Sequence, residues 1–269
     1  MADILRREIA PIPAEAWAEI DEQAAKILRG NLSARAIVDV DGPHGLALGA
    51  INLGGVVADQ GQTLKGVNWG LRDVLPLVEM RVPFKLGVAD LDNVARGGKT
   101  PDLGSVVQAA YKAALFEETA VYAGMSKAGI RGVLAATGNQ AVPLPQDAGG
   151  YLKAVDNGIG ALQSKGIGGP YALVLGTAPY QALSVGDEKG YPLRNRVVDL
   201  LGGAIHWSPA LKGGALLSTR GGDFELTLGQ DLSIGYAGHS GTDVELYVTE
   251  SFTFRVLEPD AAVELKAKG

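Results

Sequence analysis

The chain has 269 residues, 46% of them hydrophobic, and a formal charge of -6. That is enough apolar material for one large domain or two modest ones, and the acidic balance argues against a general nucleic-acid backbone binder. Zero cysteine excludes disulfides, thiolate catalysis and cysteine-ligated metal sites.

Glycine stands out at 38 residues, scattered in pairs between periodic segments, which points to tight turns and close backbone approaches. The opening MADILRREIAPIPAEAW carries basic residues but no apolar run of the signal-peptide kind. No stretch approaches the ~18 uninterrupted apolar residues of a membrane span.

In chain order, the first element is an amphipathic helix in IPAEAWAEIDEQAAKILRG. Trp17, Ile20, Ala24, Ile27 and Leu28 share one face, Pro13 sits near its start and Gly30 is placed to end it. SARAIVDVDGPHG predicts a short strand over residues 35–40, closed by a Gly-Pro turn. Residues 46–70 mix short apolar alternations with glycine and polar turns, which predicts a two-stranded excursion that buries little of itself. VLPLVEMRVPFKLGVADLDNVARG is strand-like over residues 77–88.

The longest helix lies in DLGSVVQAAYKAALFEETAVYAGM. Asp102 is its cap, and Val107, Ala110, Tyr111, Ala114, Leu115, Val121 and Tyr122 form its apolar stripe. Glu117 and Glu118 diverge in direction and are expected on its solvated face.

Beyond Gly132, AATGNQAVPLPQDAGG is a turn-rich bridge to a helix with Tyr151, Leu152, Val155, Ile159 and Leu162 on one side. GGPYALVLG predicts a buried strand, YPLRNRVVDLLG a helix, and AIHWSPAL, GALLSTR and DFELTLG further strands. Residues 135–222 therefore alternate helix and strand like an independent lobe. In the final long strand, DVELYVTESFTFRVLEP, the residues Val244, Leu246, Val248, Phe252, Phe254 and Val256 share a face that Glu250 interrupts.

Catalytic motifs are weak throughout. ARGGKTP ends like a phosphate loop, but the glycine required five residues before Gly98 is Asn93, so a capped helix start is the simpler reading. GIGALQSKGIGGP holds a GxG without the preceding strand that a dinucleotide site needs. His44, His206 and His239 show no zinc spacing, no GxSxG elbow anchors Ser218, and nothing selects a carboxylate pair such as Asp90 and Asp92. An enzyme acting alone therefore has no coherent site.

What the sequence does carry is a series of spaced segments in a fixed order: APIPAEAWAEID, ARAIVDVDGPHG, LPLVEMRVPF, LDNVARG, DLGSVVQAA, GPYALVLG, GYPLRNRV, TRGGDFELTLGQDLSIGY and TESFTFRVLEP. Over essentially its whole length the chain resembles the encapsulins, shell-forming proteins of bacterial and archaeal nanocompartments whose subunits have the HK97 phage-capsid fold. The resemblance implies an α+β subunit in five stretches: an N-terminal helix and the start of a peripheral domain (1–45), an extended loop (46–73), the peripheral domain with the long helix (74–134), an axial domain (135–222) and a return to the peripheral domain (223–269).

It further implies a self-assembling icosahedral shell of about 60 copies (T=1). Such a shell is cytoplasmic, has no catalysis of its own and carries pores for small substrates or ions. Cargo such as a ferritin-like ferroxidase, which would make iron storage the guest's property, or a dye-decolourising peroxidase would dock through a short C-terminal targeting peptide. The docking residues carried across are Ile27, Leu28, Arg35, Ile37, Asp39, Asp231, Leu232 and Ile234, and the fivefold pore loop is Gly186, Asp187, Glu188, Lys189, Gly190 and Tyr191.

Read without the resemblance, Arg35 and Asp39 pair as neighbours on one strand face and the aliphatics are core. Some encapsulins stack a flavin on a tryptophan just before the LDN stretch; here that position is Ala89, so no flavin is expected, nor a metal, nucleic acid or membrane partner. The runner-up is the major capsid protein of a tailed phage or prophage, which shares the fold and packages DNA.

Overall fold

In the computed structural model, which describes residues 4–58, 66–188 and 191–267, two hydrophobic cores flank one long strand. Helix α1 (Ala14–Asn31) starts behind Pro13, whose ring presets the backbone for a helix start, and turns Ile20 and Ala24 fully inward. Trp17, Ile27 and Leu28 pack half-buried beside them. Gly30 lies inside the last turn, and the helix ends one residue past Asn31, where the Leu32 N–H reaches the Leu28 carbonyl at 3.0 Å.

The strand expected over 35–40 is mostly absent. Ala34–Ala36 form a 3-10 turn, because the Ile37 and Val38 N–H groups both return to the Ala34 carbonyl. Only β1 (Asp39–Asp41) remains extended.

Strands β2 (Ala50–Ala58) and β3 (Gly70–Pro76) pair, among the described residues, only with each other, as the excursion reading anticipates. Next come β4 (Val78–Gly87), matching the strand expected over 77–88, and the helix α2 (Val88–Ala95), which the sequence pattern does not predict. The Asp102 carboxylate accepts the Gly104 N–H at 2.9 Å as the long helix α3 (Gly104–Tyr122) begins. Its buried stripe is shifted from the expected one: Val106, Ala109, Ala110, Ala113 and Ala114 face the core while Tyr111 stands exposed. Four alanines let the neighbouring elements approach closely.

The remaining elements are α4 (Val133–Ala136), β5 (Val142–Leu144), α5 (Tyr151–Ser164), β6 (Tyr171–Leu175), α6 (Thr177–Val185), β7 (Asp187–Glu188), β8 (Tyr191–Pro192), α7 (Leu193–Leu201), β9 (Ile205–Trp207), β10 (Gly214–Ser218), β11 (Phe224–Leu228), β12 (Ser233–Ser240), β13 (Asp243–Val256) and β14 (Ala262–Ala267). Helix α6 has no counterpart in the sequence reading.

The first sheet is built on β13. Strand β4 runs antiparallel along one edge, β11 and then β12 run along the other, and β1 lies parallel on β11. The second sheet has the order β5-β14-β10-β6-β9. Its strand β14 comes from the C-terminal side of the chain, so residues 262–267 sit with 135–222 rather than with the rest of 223–269. The reason is in the pattern: Ala262, Val263 and Leu265 are apolar enough to fill an interior strand position, and all three are buried. Among the described residues no helix is long and apolar enough to cross a membrane.

Candidate functional site: a groove beside the first helix and the carboxylates beneath it

Strands β11 and β12 form one interrupted strand against β13. Leu228 opposes Phe252 and Ser233 opposes Thr249, so residues 229–232 pass over residues 250 and 251 alone. A bulge of this kind re-aims side chains and is held locally. Here Ser251 holds it: its carbonyl accepts the Gly229 N–H at 2.7 Å, its hydroxyl accepts the Gln230 N–H at 2.8 Å, and its N–H reaches the Gln230 carbonyl at 2.9 Å. Glycine is required at 229, since a Cβ there would lie 2.5 Å from the Ser251 hydroxyl. Just upstream, Gly221 and Gly222 (φ +84° and +78°) turn the chain back into the first sheet, and the Gly222 N–H donates to Asp39 at 2.6 Å.

Beside the bulge runs a groove of about 280 Å³ between α1 and β12. Leu28 and Ala24 of α1, Leu232 and Ile234 beyond the bulge, Leu5 and Val248 give it an apolar lining. Arg7 and Asp21 line it too, joined by two hydrogen bonds of 3.1 and 2.6 Å, with the Arg7 guanidinium 3.9 Å over the Trp17 ring.

Of the eight residues carried across from the resemblance, Leu28, Leu232 and Ile234 line this groove. Ile27 packs in the core under it, and Arg35 and Asp231 meet beneath its edge. Ile37 belongs to the other core and Asp39 sits on β1 holding Gly222, so neither is a lining residue.

Arg35 does not pair with Asp39. Its Nε lies 3.0 Å from both oxygens of Glu117, its Nη2 donates to Glu117 Oε2 and Glu250 Oε1 at 2.6 Å each, and its Nη1 donates to Asp231 Oδ1 at 2.8 Å. Both glutamates have no exposed surface. The expectation of Glu117 and Glu118 on a solvated face is therefore overturned. They diverge as adjacent helical residues must, but into two polar pockets. Glu118 accepts from the Ala34 N–H at 2.8 Å and from the Ser33 and Ser208 hydroxyls at 2.6 Å each, with the Tyr122 hydroxyl 2.8 Å from that of Ser33.

Burial pushes the Glu118 carboxyl above its ordinary range, against the pull of those three donors. Burial and the charge of Glu117 push Glu250 well above it, opposed by Arg35. For Arg35, burial opposes the charge, yet Glu117 and Glu250 outweigh it and hold the guanidinium above its ordinary value.

The expected pore loop forms the hairpin β7-β8 between α6 and α7, with Val185 87% exposed before its base and Tyr191, 50% exposed, opposite Glu188. Lys189 and Gly190 lie outside the described residues. Ala89 is exposed on the first turn of α2, a methyl group with no ring face to offer a flavin. The three histidines stay apart: His44 meets Asp41 at 2.9 Å, His239 meets the Tyr236 hydroxyl, and burial followed by Arg194 lowers the basicity of His206. Among the described residues no group of three or more metal-ligating side chains converges.

The comparisons with known proteins join this geometry to a family. Residues 2–253 match the family model described as "Encapsulating protein for peroxidase". The chain is 42% identical over 261 residues to the type 1 encapsulin shell protein of Rhodococcus erythropolis, covering 97% of this chain and 98% of that one. The chain belongs to the encapsulin family.

The encapsulin shell protein of Brevibacterium linens is likewise 42% identical over 97% of this chain and 98% of its own, and that of Mycobacterium tuberculosis 38% over the same shares. The virus-like particle of Pyrococcus furiosus superposes with a TM-score of 0.64 at 17% identity, over 94% of this chain and 100% of that one. The capsid of Myoviridae phage XM1 follows at 0.54 and 12%, over 86% and 90%. These likenesses show the α+β, HK97-type fold, while the encapsulin relatives decide the family against a phage capsid. As an encapsulin the chain is a non-catalytic, self-assembling shell protein whose copies enclose cargo.

Proposed function

We propose that the shell is a cytoplasmic icosahedron of about 60 copies whose inner face holds cargo through a short C-terminal targeting peptide, seated in the groove between α1 and β12. The observation that carries this reading is the apolar lining of that groove, with Leu28 on one wall and Leu232 and Ile234 on the other, beside the charged pair Arg7–Asp21. Such a channel suits a peptide that inserts leucine or isoleucine side chains and aligns its backbone on polar flanks.

The guest is a ferritin-like ferroxidase or a dye-decolourising peroxidase, and the chemistry, iron storage included, belongs to the guest. The first sheet with α1 and α3 serves as peripheral domain, the β2-β3 ribbon as the extended loop to a neighbouring subunit, and the second sheet as axial domain. The β7-β8 hairpin, from Gly186 to Tyr191, lines the fivefold pore, where Asp187, Glu188 and Lys189 tune what enters.

The test of the groove is cargo loading. Leu232→Asp shells are expected to form as wild type does and, like any shells that form with the more disruptive Ile234→Asp, to lose the guest that co-purifies with wild-type shells, read by gel and native mass spectrometry. Unchanged loading in Leu232→Asp, the less buried of the two, would place docking elsewhere.

A further inference from the structure

We propose that Glu250, which lies outside the docking groove, is a positioning residue whose proton holds the Asp231–Leu232 bulge, and so one wall of the groove, in its docking shape. The inference rests on the docking reading above but is carried by a different observation. One guanidinium, that of Arg35, serves three carboxylates: Glu117, Glu250 and Asp231. Glu250 Oε1 takes one of its N–H groups, while Glu250 Oε2 is buried with no hydrogen-bond partner among the described residues. A buried, charged carboxylate oxygen without a donor is strongly disfavoured. A proton on Glu250 removes that buried charge and makes its carboxyl a donor toward the neighbouring Glu117, which pushes Glu250 towards its protonated form. Neutral Glu250 therefore satisfies the arrangement and leaves Arg35 free to reach Asp231.

Ionised Glu250 would set two buried anions side by side with Arg35 as the cation that answers both. The charged groups facing it are Arg35 from the 3-10 turn, Glu117 from α3 and Asp231 from the bulge, while Glu118 and Tyr122 of α3 turn into the other pocket with Ser33 and Ser208. From β4 its opposite residue is Met80, which brings no charge, and the flanking Glu79 and Arg81 are both half-exposed on the other face. Asp231, 43% exposed, is the partner that water can compensate, so the Arg35–Asp231 contact is the one that gives. Asp231 Oδ1 also accepts the Leu232 N–H at 2.7 Å. Losing Arg35 thus loosens the acid that orients Leu232, and the groove wall moves with it. Docking is firm while Glu250 is protonated and weakens as it ionises.

The test is hydrogen exchange on intact shells at about pH 6 and about pH 9, corrected for the intrinsic pH dependence of exchange. Wild-type shells are expected to lose protection about tenfold over residues 229–234 at the higher pH, whereas Glu250→Gln shells keep it, because the amide still donates to Glu117 and accepts from Arg35. Asp231→Asn keeps an acceptor for Leu232 but weakens the tie to Arg35, and is expected to show the loosened state already at the lower pH.

A flat wild-type profile, or a Glu250→Gln profile that falls in step with wild type, would overturn the proposal. A fluorescein-labelled synthetic peptide bearing leucine and isoleucine separates the two levels of the argument. Weaker binding at high pH in wild type but not in Glu250→Gln supports both. Binding untouched by Leu232→Asp, alongside a pH-dependent bulge, sinks the docking site and leaves the Glu250 device standing.

Discussion

Arg35 makes five hydrogen-bond contacts to three acids, two of them wholly buried, and that fork geometry fixes what a substitution would do. Arg35→Met leaves Glu117 and Glu250 without a cation and is expected to cost about 3–5 kcal/mol, read as a fall in the denaturation midpoint or in soluble yield. Arg35→Lys would not restore it, because one ammonium cannot serve three planar acceptors.

Glu250 makes a second prediction at this scale. Its carboxyl is held above the ordinary range, so the folded chain keeps a proton that the unfolded chain releases. Its stabilising contribution is full below the unfolded pKa and falls as pH rises through the folded one. Glu250→Gln has no such slope, so thermal unfolding of the variant should exceed wild type at mildly alkaline pH and converge with it towards pH 4. An unchanged difference across that range would count against a protonated Glu250.

The sequence made Glu250 visible as a break in an apolar face, but its meaning depended on an arginine 215 positions away. Glu117 was misread for the same reason, since its cation is 82 residues distant and no local period reveals it.

Among the elements, the β2-β3 ribbon has the clearest consequence. Val56, Val57 and Leu71 are 62%, 63% and 68% exposed, and an isolated two-stranded ribbon is marginal in water. Those side chains need a neighbour's surface. Leu71→Asp is therefore expected to give subunits with wild-type circular dichroism that remain small on size exclusion instead of eluting as shells.

Elements with long, regular periods (α1, α5, β13 and the ribbon) were legible from the residues. Helix α2 was not, because Gly87 stays extended and Val88 and Ala89 continue the apolar run of β4 up to Asp90. Helix α6 escaped because Pro179 sits in its first turn and just two of its residues, Pro179 and Leu183, are buried. In the groove, Leu28, Leu232 and Ile234 were named from the resemblance, whereas Leu5, Arg7 and Asp21 come together only through the path of the N-terminal segment. That path is fixed by the Tyr236 N–H on the Leu5 carbonyl at 2.7 Å.

At the scale of the whole molecule, the subunit's two sheets share a fold with phage capsids at 12% identity, yet its encapsulin relatives stand at about 40%. A fold shared so widely says how subunits tile and little about what they enclose. The proposed count of about 60 copies of 27.8 kDa comes to about 1.7 MDa, so negative-stain images should show uniform hollow particles of that mass by light scattering. A discrete monomer or dimer at assembly concentrations would contradict this.

The placement of β14 bears on how such particles are made. Because its six residues lie between β5 and β10, a nascent chain that stops before residue 262 has a gap in the middle of its second sheet, not a missing edge. Strand β13, on which the first sheet is built, ends at Val256, and β14 begins at Ala262, so both sheets are completed by the same late stretch of chain. A chain cut short before Ala262 is therefore expected to leave the second sheet open and to stay out of the shell.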